Sequence, residues 1–377
     1  MNVNKMMYVA LAYDLYKKKI DGQISAFNRK GIDVYLCCYN GLKKIYQCIL
    51  FCNNGKKVVD EESDLFNKRK YTNFVYKSMQ KFGVDSVYIR RPGISILTYG
   101  KIIRKIRKDG LKFIFEIPTY PFDCPGNGIA RKLAQFVEKF FLKTWVFPFA
   151  DCIPVFLRNR KIVLNKKMVR SYNCVDYERF QQYAEANRGN HTSFNMLAVA
   201  FTQKWHGYDR IIKSIEAYKG TRQINFTLYG NFSDETRKLM AYCKAKNISN
   251  VEFLEEKDVL DLVSFYSSFD IGIGTLGLHR NSNTNPQDLC DTSIKNKEYC
   301  AMGLPFVHAS IDDSFAENFA FHRLVPDDES LIDIDSLIQW VESLNMTAAS
   351  RAEMLEYAKR YLSFDNYIDG ILQALKN

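Results

Sequence analysis

The chain has 377 residues, of which 47% are apolar and 14% aromatic. At roughly 150 residues per domain, this length predicts two domains, each large enough to form its own core. The apolar content excludes a disordered chain, and the counts of 19 Gly and 9 Pro exclude a fibrous or linker-dominated one.

The formal net charge of +11 is divided unevenly along the chain. Residues 1–175 hold 33 Lys and Arg against 13 Asp and Glu, whereas residues 176–377 hold the remaining 20 and 29. A first half this basic predicts a polyanionic partner, and we expect an anionic membrane surface. Nucleic acid is not expected as a partner, because no zinc-finger, RNP-type or basic-zipper pattern accompanies the charge.

The chain carries no sign of a membrane-spanning or secretory segment. The most apolar stretch, residues 140–157, is interrupted by Lys143, Pro148, Asp151 and Pro154, and the N-terminal apolar run has no small-residue cleavage site. The ten cysteines form no repeated CxxC pair, and several lie in apolar runs typical of reduced core residues. We therefore expect a cytoplasmic protein, peripheral on the inner face of the cell membrane.

Strand-like runs alternate with helix-length segments in the first half. The predicted strands are residues 7–12, 33–39, 45–51, 86–90, 112–117 and 152–156. Continuous apolar strands with intervening helices predict a parallel sheet covered on both faces, the doubly wound arrangement.

Two segments of this half are predicted to be basic amphipathic helices, near residues 94–108 and 129–145. In the second, the apolar residues repeat at helical spacing with lysines around them; they are Leu133, Phe136, Val137, Phe140 and Phe141. Two interpretations stay open: such helices lie on anionic lipid, or they pack on the sheet with solvated lysines.

Residues 174–192 are polar and lack an apolar period, so we interpret them as a linker. The alternation then restarts, with strands predicted at residues 195–200, 224–230, 251–255, 269–274 and 305–309 and two closing helices. The sequence thus predicts two tandem doubly wound domains facing a cleft, 1–175 and 193–350, with helices in 351–377 packing back across it.

Three loops of the second half follow strands and precede helices. Helix N-termini at such places hold phosphate through backbone N–H groups and the positive end of the dipole, and nearby cations add to the attraction. The candidate anion-binding residues in these loops are Lys204, His206, Gly207, Gly230, Asn231, Arg280, Ser293, Ile294 and Lys295.

These loops also resemble a known family. The tracts WHGYDRII, DIGIGTLGLHR and SIKNKEYCAMGLPFV, which begin at residues 205, 270 and 293, resemble the donor-binding half of GT-B glycosyltransferases similar to glycosyltransferase family 4. The tracts YNCVDYERF and KIDGQISAFNRKGIDVYL resemble other parts of that family, and EIPTYPFD resembles polysaccharide-assembly members. The resemblance covers most of the chain and implies two Rossmann-like domains, the first for the acceptor and the second for a nucleotide sugar.

The resemblance also implies roles for individual residues. Glu298 matches the carboxylate that accepts hydrogen bonds from the ribose hydroxyls, and Ser293, Ile294 and Lys295 would neutralise the diphosphate. Glu116 and Asp123 bracket IPTYPF at a strand end, where either would orient or deprotonate the acceptor hydroxyl; alternatively, backbone N–H groups satisfy Glu116. The implied reaction retains the anomeric configuration and uses no metal or other cofactor.

The chain departs from the family at three places. Phe201 and His206 stand where the family has Arg and Lys, and Cys290 stands where it has its other carboxylate. Lys204 is a candidate replacement for one cation, and Asp288 or Asp291 for the acid. His206 is either a phosphate contact or a turn-capping residue, and Arg280 is a candidate to grip the diphosphate in a forked geometry.

We expect a glycosyltransferase that moves a sugar from a nucleotide diphosphate sugar to a lipid-linked or glycan acceptor in cell-surface polysaccharide synthesis. Two alternatives remain: a catalytically silent GT-B partner subunit of another glycosyltransferase, and a GT-B sugar-nucleotide epimerase, which would have no use for so basic a first half.

Overall fold

A computed structural model describes residues 3–53, 55–91, 96–120, 128–185, 192–258, 261–281 and 288–376. The chain forms two compact units. Unit 1 comprises Met1–Leu157, Ile162–Tyr172 and Phe364–Asn377, and unit 2 comprises Arg158–Lys161 and Asn173–Ser363.

The strands and helices alternate along the chain. The strands are β1 (Lys5–Val9), β2 (Asp33–Asn40), β3 (Ile45–Cys52), β4 (Gly55–Ser63), β5 (Ser86–Arg90), β6 (Lys112–Tyr120), β7 (Ile153–Leu157), β8 (Met168–Ser171), β9 (Phe194–Val199), β10 (Ile224–Tyr229), β11 (Val251–Leu254), β12 (Ile271–Ile273), β13 (Phe306–His308) and β14 (His322–Leu324). The α-helices are α1 (Lys17–Arg29), α2 (Lys68–Phe82), α3 (Ile96–Lys108), α4 (Gly128–Phe141), α5 (Tyr177–Glu185), α6 (Tyr208–Ala217), α7 (Asp234–Ala245), α8 (Leu262–Ser267), α9 (Ile294–Ala301), α10 (Ile334–Ser343), α11 (Ala348–Tyr357) and α12 (Phe364–Ala374).

Unit 1 is built on a sheet with the strand order β4-β3-β2-β1-β5-β6-β7-β8. Strands β2, β1, β5, β6, β7 and β8 pair in parallel, whereas β3 and β4 form an antiparallel hairpin at one edge. All five residues of β5 are buried, as expected of a central parallel strand covered on both faces. The chain's last helix belongs to this unit: Arg29 donates to both carboxylate oxygens of Asp365, at 2.9 and 2.8 Å.

Unit 2 contains a parallel sheet with the strand order β11-β10-β9-β12-β13-β14. The first strand of the unit, β9, lies in the middle, with β10 on one side and β12 on the other. Strand order therefore reverses between β9 and β12, and parallel sheets of this kind bind ligands beyond the carboxyl ends of the strands at that point.

The two sheets confirm the predicted α/β class with two Rossmann-like folds, and the differences lie at the edges. Three strands were not predicted: β4 carries the charged sequence GKKVVDEES and is mostly exposed, and β8 and β14 are short. Edge strands need no continuous apolar run, because one side faces solvent or a loop. Within the described ranges, no helix combines the length and the apolar composition needed to cross a membrane.

The interpretation of residues 174–192 as a linker is wrong for residues 177–185. Helix α5 occupies part of it, and Phe180 and Tyr183 are buried in a cluster with residues of α9 and α11. The buried residues Phe180, Tyr183 and Ala184 have helical spacing, but a nine-residue helix is too short to be stable alone, so the contacts that stabilise it are tertiary.

Candidate functional site

The loops after β9 and β12 lie against each other at the carboxyl edge of the unit 2 sheet. Gly207 has a φ of +68°, and a Cβ there would lie 2.8 Å from the backbone nitrogen of Gly277. The backbone N–H of Leu276 donates to the carbonyl of His206 at 2.9 Å. Glycine at position 207 therefore allows both the left-handed turn and the close approach of the two loops.

His206 is a neutral hydrogen-bond donor in this arrangement. Its Nδ1 accepts from the backbone N–H of Gln203 at 3.0 Å, so the ring proton is on Nε2. The ring stacks on Tyr208, with centroids 5.5 Å apart. Burial, followed by the charge of Lys295, lowers the pKa of His206 to about 2, so the imidazole stays uncharged at neutral pH.

Lys295 lies in the first turn of α9, directly after Ser293 and Ile294, and its side chain is buried. Its Nζ donates to the hydroxyl of Tyr208 at 2.9 Å. Burial lowers the pKa of Lys295 to about 8, although the carboxylates of Asp291 and Glu298 oppose that shift. Lys295 is therefore a desolvated cation at a helix start, where the first N–H groups have no partner within the helix.

Glu298 lies one turn further along α9 and is half-buried. Burial, followed by the negative charge of Glu298, raises the pKa of Tyr266. The next residue, Tyr299, anchors the helix: its hydroxyl accepts from Val199 N at 3.0 Å, between β9 and β12. Gly272 leaves the room for this ring, since a Cβ there would lie 2.6 Å from it.

A buried polar cluster supports the start of α9, and sequence reasoning missed it. Lys297 and Asp312 form an ion pair with no exposed side-chain surface, and Asn296 donates to Asp291 and Asp312 at 3.2 Å each. Asp291 also accepts from the backbone N–H of Ser293 at 2.8 Å. The available signal was the polar run IKNKE, which offers no apolar face with which the helix could pack on the sheet.

The remaining donor-site candidates lie at the same edge. Gly230 has a φ of +143°, and a Cβ there would lie 2.5 Å from the carbonyl oxygen of Ala200. Asn231 and Lys204 are exposed. The structure thus gathers the predicted residues of the β9, β10 and β12 loops and of α9 at one edge of unit 2.

Arg280 is engaged by carboxylates. It donates to Glu329 through Nε at 2.7 Å and to Asp209 through Nη1 at 2.6 Å, and its Nη1 also donates to the carbonyl of Lys204 at 3.2 Å. The expected grip on a diphosphate stays a prediction, and it requires Arg280 to exchange at least one carboxylate for the phosphate.

Cys290 stands where the family has a carboxylate, and the two acids beside it, Asp288 and Asp291, make different contacts. Cys290 is buried, and burial raises the pKa of its thiol to about 12, so it does not supply a charge. Asp288 pairs with Lys161 at 3.0 Å, whereas Asp291 accepts from the backbone N–H of Ser293, just before α9, and from the side-chain amide of Asn296. Of the two proposed replacements, Asp291 is the one that contacts the residues of the candidate site.

In unit 1, Glu116 of β6 is paired in register with Arg90 of β5 and has no exposed surface. It accepts from Tyr88 at 2.6 Å and from Gln23 at 3.2 Å, and it forms ion pairs with Arg90 and Lys19. Burial raises the pKa of this carboxyl, but the charges of Arg90 and Lys19, together with its side-chain hydrogen bonds, lower it by more, so the net shift is downward. Side chains, rather than the expected backbone N–H groups, satisfy this carboxylate. Asp123 lies outside the described residues.

In the described part of the chain, no three His, Cys, Asp or Glu side chains are grouped to hold a metal ion. Asp333 acts as a helix cap, accepting from the backbone N–H of Ser336 at 2.9 Å. The metal-free mechanism stays a prediction.

No protein-family model matches the sequence, and a comparison with curated proteins found no match. Solved structures do resemble the chain. A glycosyltransferase from Rickettsia africae has 14% identity and a TM-score of 0.64, with 100% of this chain and 98% of that one covered. The catalytic domain of starch synthase IV from Arabidopsis thaliana, bound to ADP and acarbose, has 9% identity and a TM-score of 0.56, with both chains fully covered.

HepE from Anabaena, in complex with UDP and glucose, has 11% identity and a TM-score of 0.54, with 98% of this chain and 100% of that one covered. Because these alignments run almost end to end, they include both units and not one Rossmann-like domain alone. The chain has the fold of the GT-B glycosyltransferases, as its sequence motifs predict.

Proposed function

We propose that this protein is a glycosyltransferase that moves a sugar from a nucleotide diphosphate sugar to a lipid-linked or glycan acceptor in cell-surface polysaccharide synthesis. One observation carries the proposal: Lys295, buried at the start of α9, lies with His206 and Glu298 at the point where strand order reverses. The complexes of HepE with UDP and with UDP-glucose support a donor of this class.

In this proposal the diphosphate binds at the start of α9. Lys295 contributes a positive charge, the N–H groups of the first turn donate, and Nε2 of His206 donates without adding charge. Glu298 accepts hydrogen bonds from the ribose hydroxyls, because a carboxylate can accept from both hydroxyls of a vicinal diol.

The chemistry we propose is electrostatic. The leaving diphosphate gains negative charge as the glycosidic bond breaks, and Lys295 with the helix dipole stabilises that charge in place of a metal. The reaction retains the anomeric configuration, as the resemblance to family 4 implies.

Unit 1 binds the acceptor in this proposal. Glu116 acts as a positioning residue that orients Arg90 and Lys19, because its carboxylate is buried and fully hydrogen-bonded. Asp123 then remains the candidate that deprotonates the acceptor hydroxyl. The basic composition of this half of the chain supports an acceptor at an anionic membrane surface, with the protein peripheral on the cytoplasmic side.

A catalytically silent partner subunit is the second candidate. It is favoured by the buried thiol of Cys290, which replaces a family carboxylate, and by the engagement of Arg280 with Asp209 and Glu329. A silent subunit would release no nucleotide from any donor in the presence of acceptor lipids.

Titration calorimetry with a panel of nucleotide diphosphate sugars tests the proposal. We expect one donor to bind and Glu298→Ala to weaken it by about 1–3 kcal/mol, which is about 5- to 150-fold. Glu342→Ala, an exposed acid on α10, is the matched control and should bind as the wild type does.

A nucleotide-release assay with chelator present completes the test. We expect release to continue without divalent cations, and a strict requirement for Mg²⁺ or Mn²⁺ would refute the metal-free mechanism. Equal donor affinity in the wild type and Glu298→Ala would remove Glu298 from the site, and a wild type that binds no donor would refute the proposed function.

A further inference from the structure

Helix α4 of unit 1 turns a row of large apolar side chains toward solvent. These side chains, called the α4 stripe below, are Ile129 (86% exposed), Leu133 (62%), Phe136 (66%), Val137 (39%) and Phe140 (58%). Their spacing of four, three, one and three residues puts them on one face of the helix. Monomeric soluble proteins rarely expose contiguous apolar surface of this kind unless it contacts a partner.

The opposite face of α4 holds the helix in this orientation. Glu138 is 1% exposed, and its carboxylate accepts from Nε of the buried Arg91 at 3.1 Å. Phe141 is buried in the core of unit 1. Rotating α4 to bury the stripe would expose Phe141 and separate Arg91 from Glu138, leaving a buried charge unpaired. The exposed stripe is therefore a consequence of how the helix is anchored.

The charge around the stripe is positive. Lys132, Lys139 and Lys143 are exposed and follow one flank of the helix. Glu138 is the only acid in the sequence of α4, and it is buried, so the helix has no exposed acid to pair with these lysines.

Helix α3 extends this positive surface. The guanidinium of Arg104 lies 4.4 Å from the ring centroid of Trp145, just after α4, and that of Arg107 lies 4.4 Å from the centroid of Phe149. Lys101 and Lys108 of α3 are also exposed. The stripe therefore lies beside basic side chains from two elements of the same unit.

We propose that the α4 stripe docks unit 1 on an anionic lipid bilayer, with its apolar side chains in the acyl boundary and its lysines at the level of the lipid phosphates. Lys and Arg stems can lie along apolar surface while their charges reach the headgroups. A second copy of the chain fits less well, because pairing two α4 helices would bring lysines together with no acid to balance them. This inference deepens the proposed function. It rests on that function at one point, namely that the membrane on which unit 1 docks holds the lipid-linked acceptor.

Vesicle sedimentation of the full chain tests the docking. We expect the wild type to bind phosphatidylcholine vesicles that contain phosphatidylglycerol. A variant with Leu133→Ser, Phe136→Ser and Phe140→Ser should lose about tenfold or more of its vesicle affinity. The matched control carries Leu42→Ser, Leu65→Ser and Val163→Ser, which are apolar residues of unit 1 at least as exposed as the three substituted residues of the stripe, and it should bind like the wild type.

Two further variants separate the contribution of the lysine charges to vesicle binding from that of the apolar side chains. Reversing the lysines in Lys132→Glu, Lys139→Glu and Lys143→Glu should abolish the preference for anionic vesicles. A tryptophan introduced by Phe136→Trp should shift its emission to shorter wavelength when such vesicles are added, because its ring enters an apolar medium.

Absence of vesicle binding by the wild type, unchanged binding by the serine variant, or an unshifted emission of Phe136→Trp would each overturn the docking proposal. A wild-type dimer that the same serine substitutions convert to a monomer would assign the stripe to a second copy and would also overturn it. Calorimetry with the donor separates failure of the docking from failure of the proposed function. Donor binding by the wild type tests the proposed function alone, and the serine variant should keep that affinity whether or not the stripe docks on a bilayer.

Discussion

Helices α4 and α9 depart from the usual amphipathic pattern in opposite directions. Helix α4 exposes Leu133, Phe136 and Phe140 and buries Glu138, whereas α9 buries Lys295, Asn296 and Lys297 and leaves Ile294 42% exposed. Buried charges are costly unless they are paired, and exposed apolar residues gain nothing from solvent. Packing therefore does not explain either departure. We assign the exposed face of α4 to a lipid bilayer and the buried polar residues of α9 to a nucleotide sugar.

The two helices also differ in what compensates the departure. In α9 most of the compensation lies within unit 2, where Asp312, Asp291 and Tyr208 pair with buried polar groups of the helix. Among the described residues, the buried Oδ1 of Asn296 is left without a hydrogen-bond partner. In α4 only the buried face is compensated, by the pair between Arg91 and Glu138. An internally balanced polar helix is typical of a preorganised ligand site, whereas an exposed apolar face requires an external partner.

The largest effect should come from breaking the internal balance of α9. Lys297→Met leaves the carboxylate of Asp312 buried without its cation, so we expect a loss of about 3–5 kcal/mol in the free energy of unfolding of unit 2. Lys246→Met removes an exposed partner of Glu216, and we expect a far smaller loss, because solvent screens exposed ion pairs. Urea unfolding of both variants measures the difference, and similar losses would contradict the distinction between buried and exposed pairs.

A smaller effect should appear in the pH dependence of donor binding. The pKa of Lys295 is lowered to about 8, so the lysine is charged below that pH and loses its proton above it. We expect donor affinity to be steady below about pH 8 and to fall at higher pH by at most about tenfold per pH unit. Calorimetry across this range should give a flat profile for Lys295→Met. The control Lys244→Met removes an exposed lysine of α7 and should keep the wild-type profile. A wild-type affinity that does not fall would show that Lys295 is not a phosphate contact.

The smallest effect concerns His279, a titratable group of unit 2 outside α9. Partial burial lowers its pKa, but hydrogen bonds to Asp327 and Glu329 outweigh burial and raise the pKa above its ordinary value of 6.5. Because the folded-state pKa is the higher one, the stabilisation is complete below about pH 6.5 and is lost as the pH rises through the folded-state pKa.

We therefore expect the free energy of unfolding of unit 2 to decline as the pH rises above about 6.5, with part of the decline absent in His279→Gln. The change should be smaller than that of Lys297→Met, since the His279 side chain is 19% exposed. Identical pH profiles for the wild type and the variant would show that the His279 contacts contribute no pH-dependent stability.

The central strands and the loops of the candidate site were predictable because their signals are local. The run SVYIR predicts β5 to the residue, since a strand covered on both faces must be apolar almost throughout. The sequence likewise predicts a helix that starts near Ser293, and α9 begins at Ile294 with Ser293 as its N-cap. In contrast, β4 and α5 were missed, because one is a charged edge strand and the other depends on tertiary contacts.

The sequence by itself determined the two α/β halves, their opposite charge and the set of residues that share each helix face. Only the tertiary structure decided which face of α4 is exposed, that Lys297 is buried and that Arg280 is held by two carboxylates. Periodicity specifies which side chains lie on one face, but the environment of that face depends on residues distant in the chain. Arg91 is 47 residues from Glu138, and Asp209 is 71 residues from Arg280.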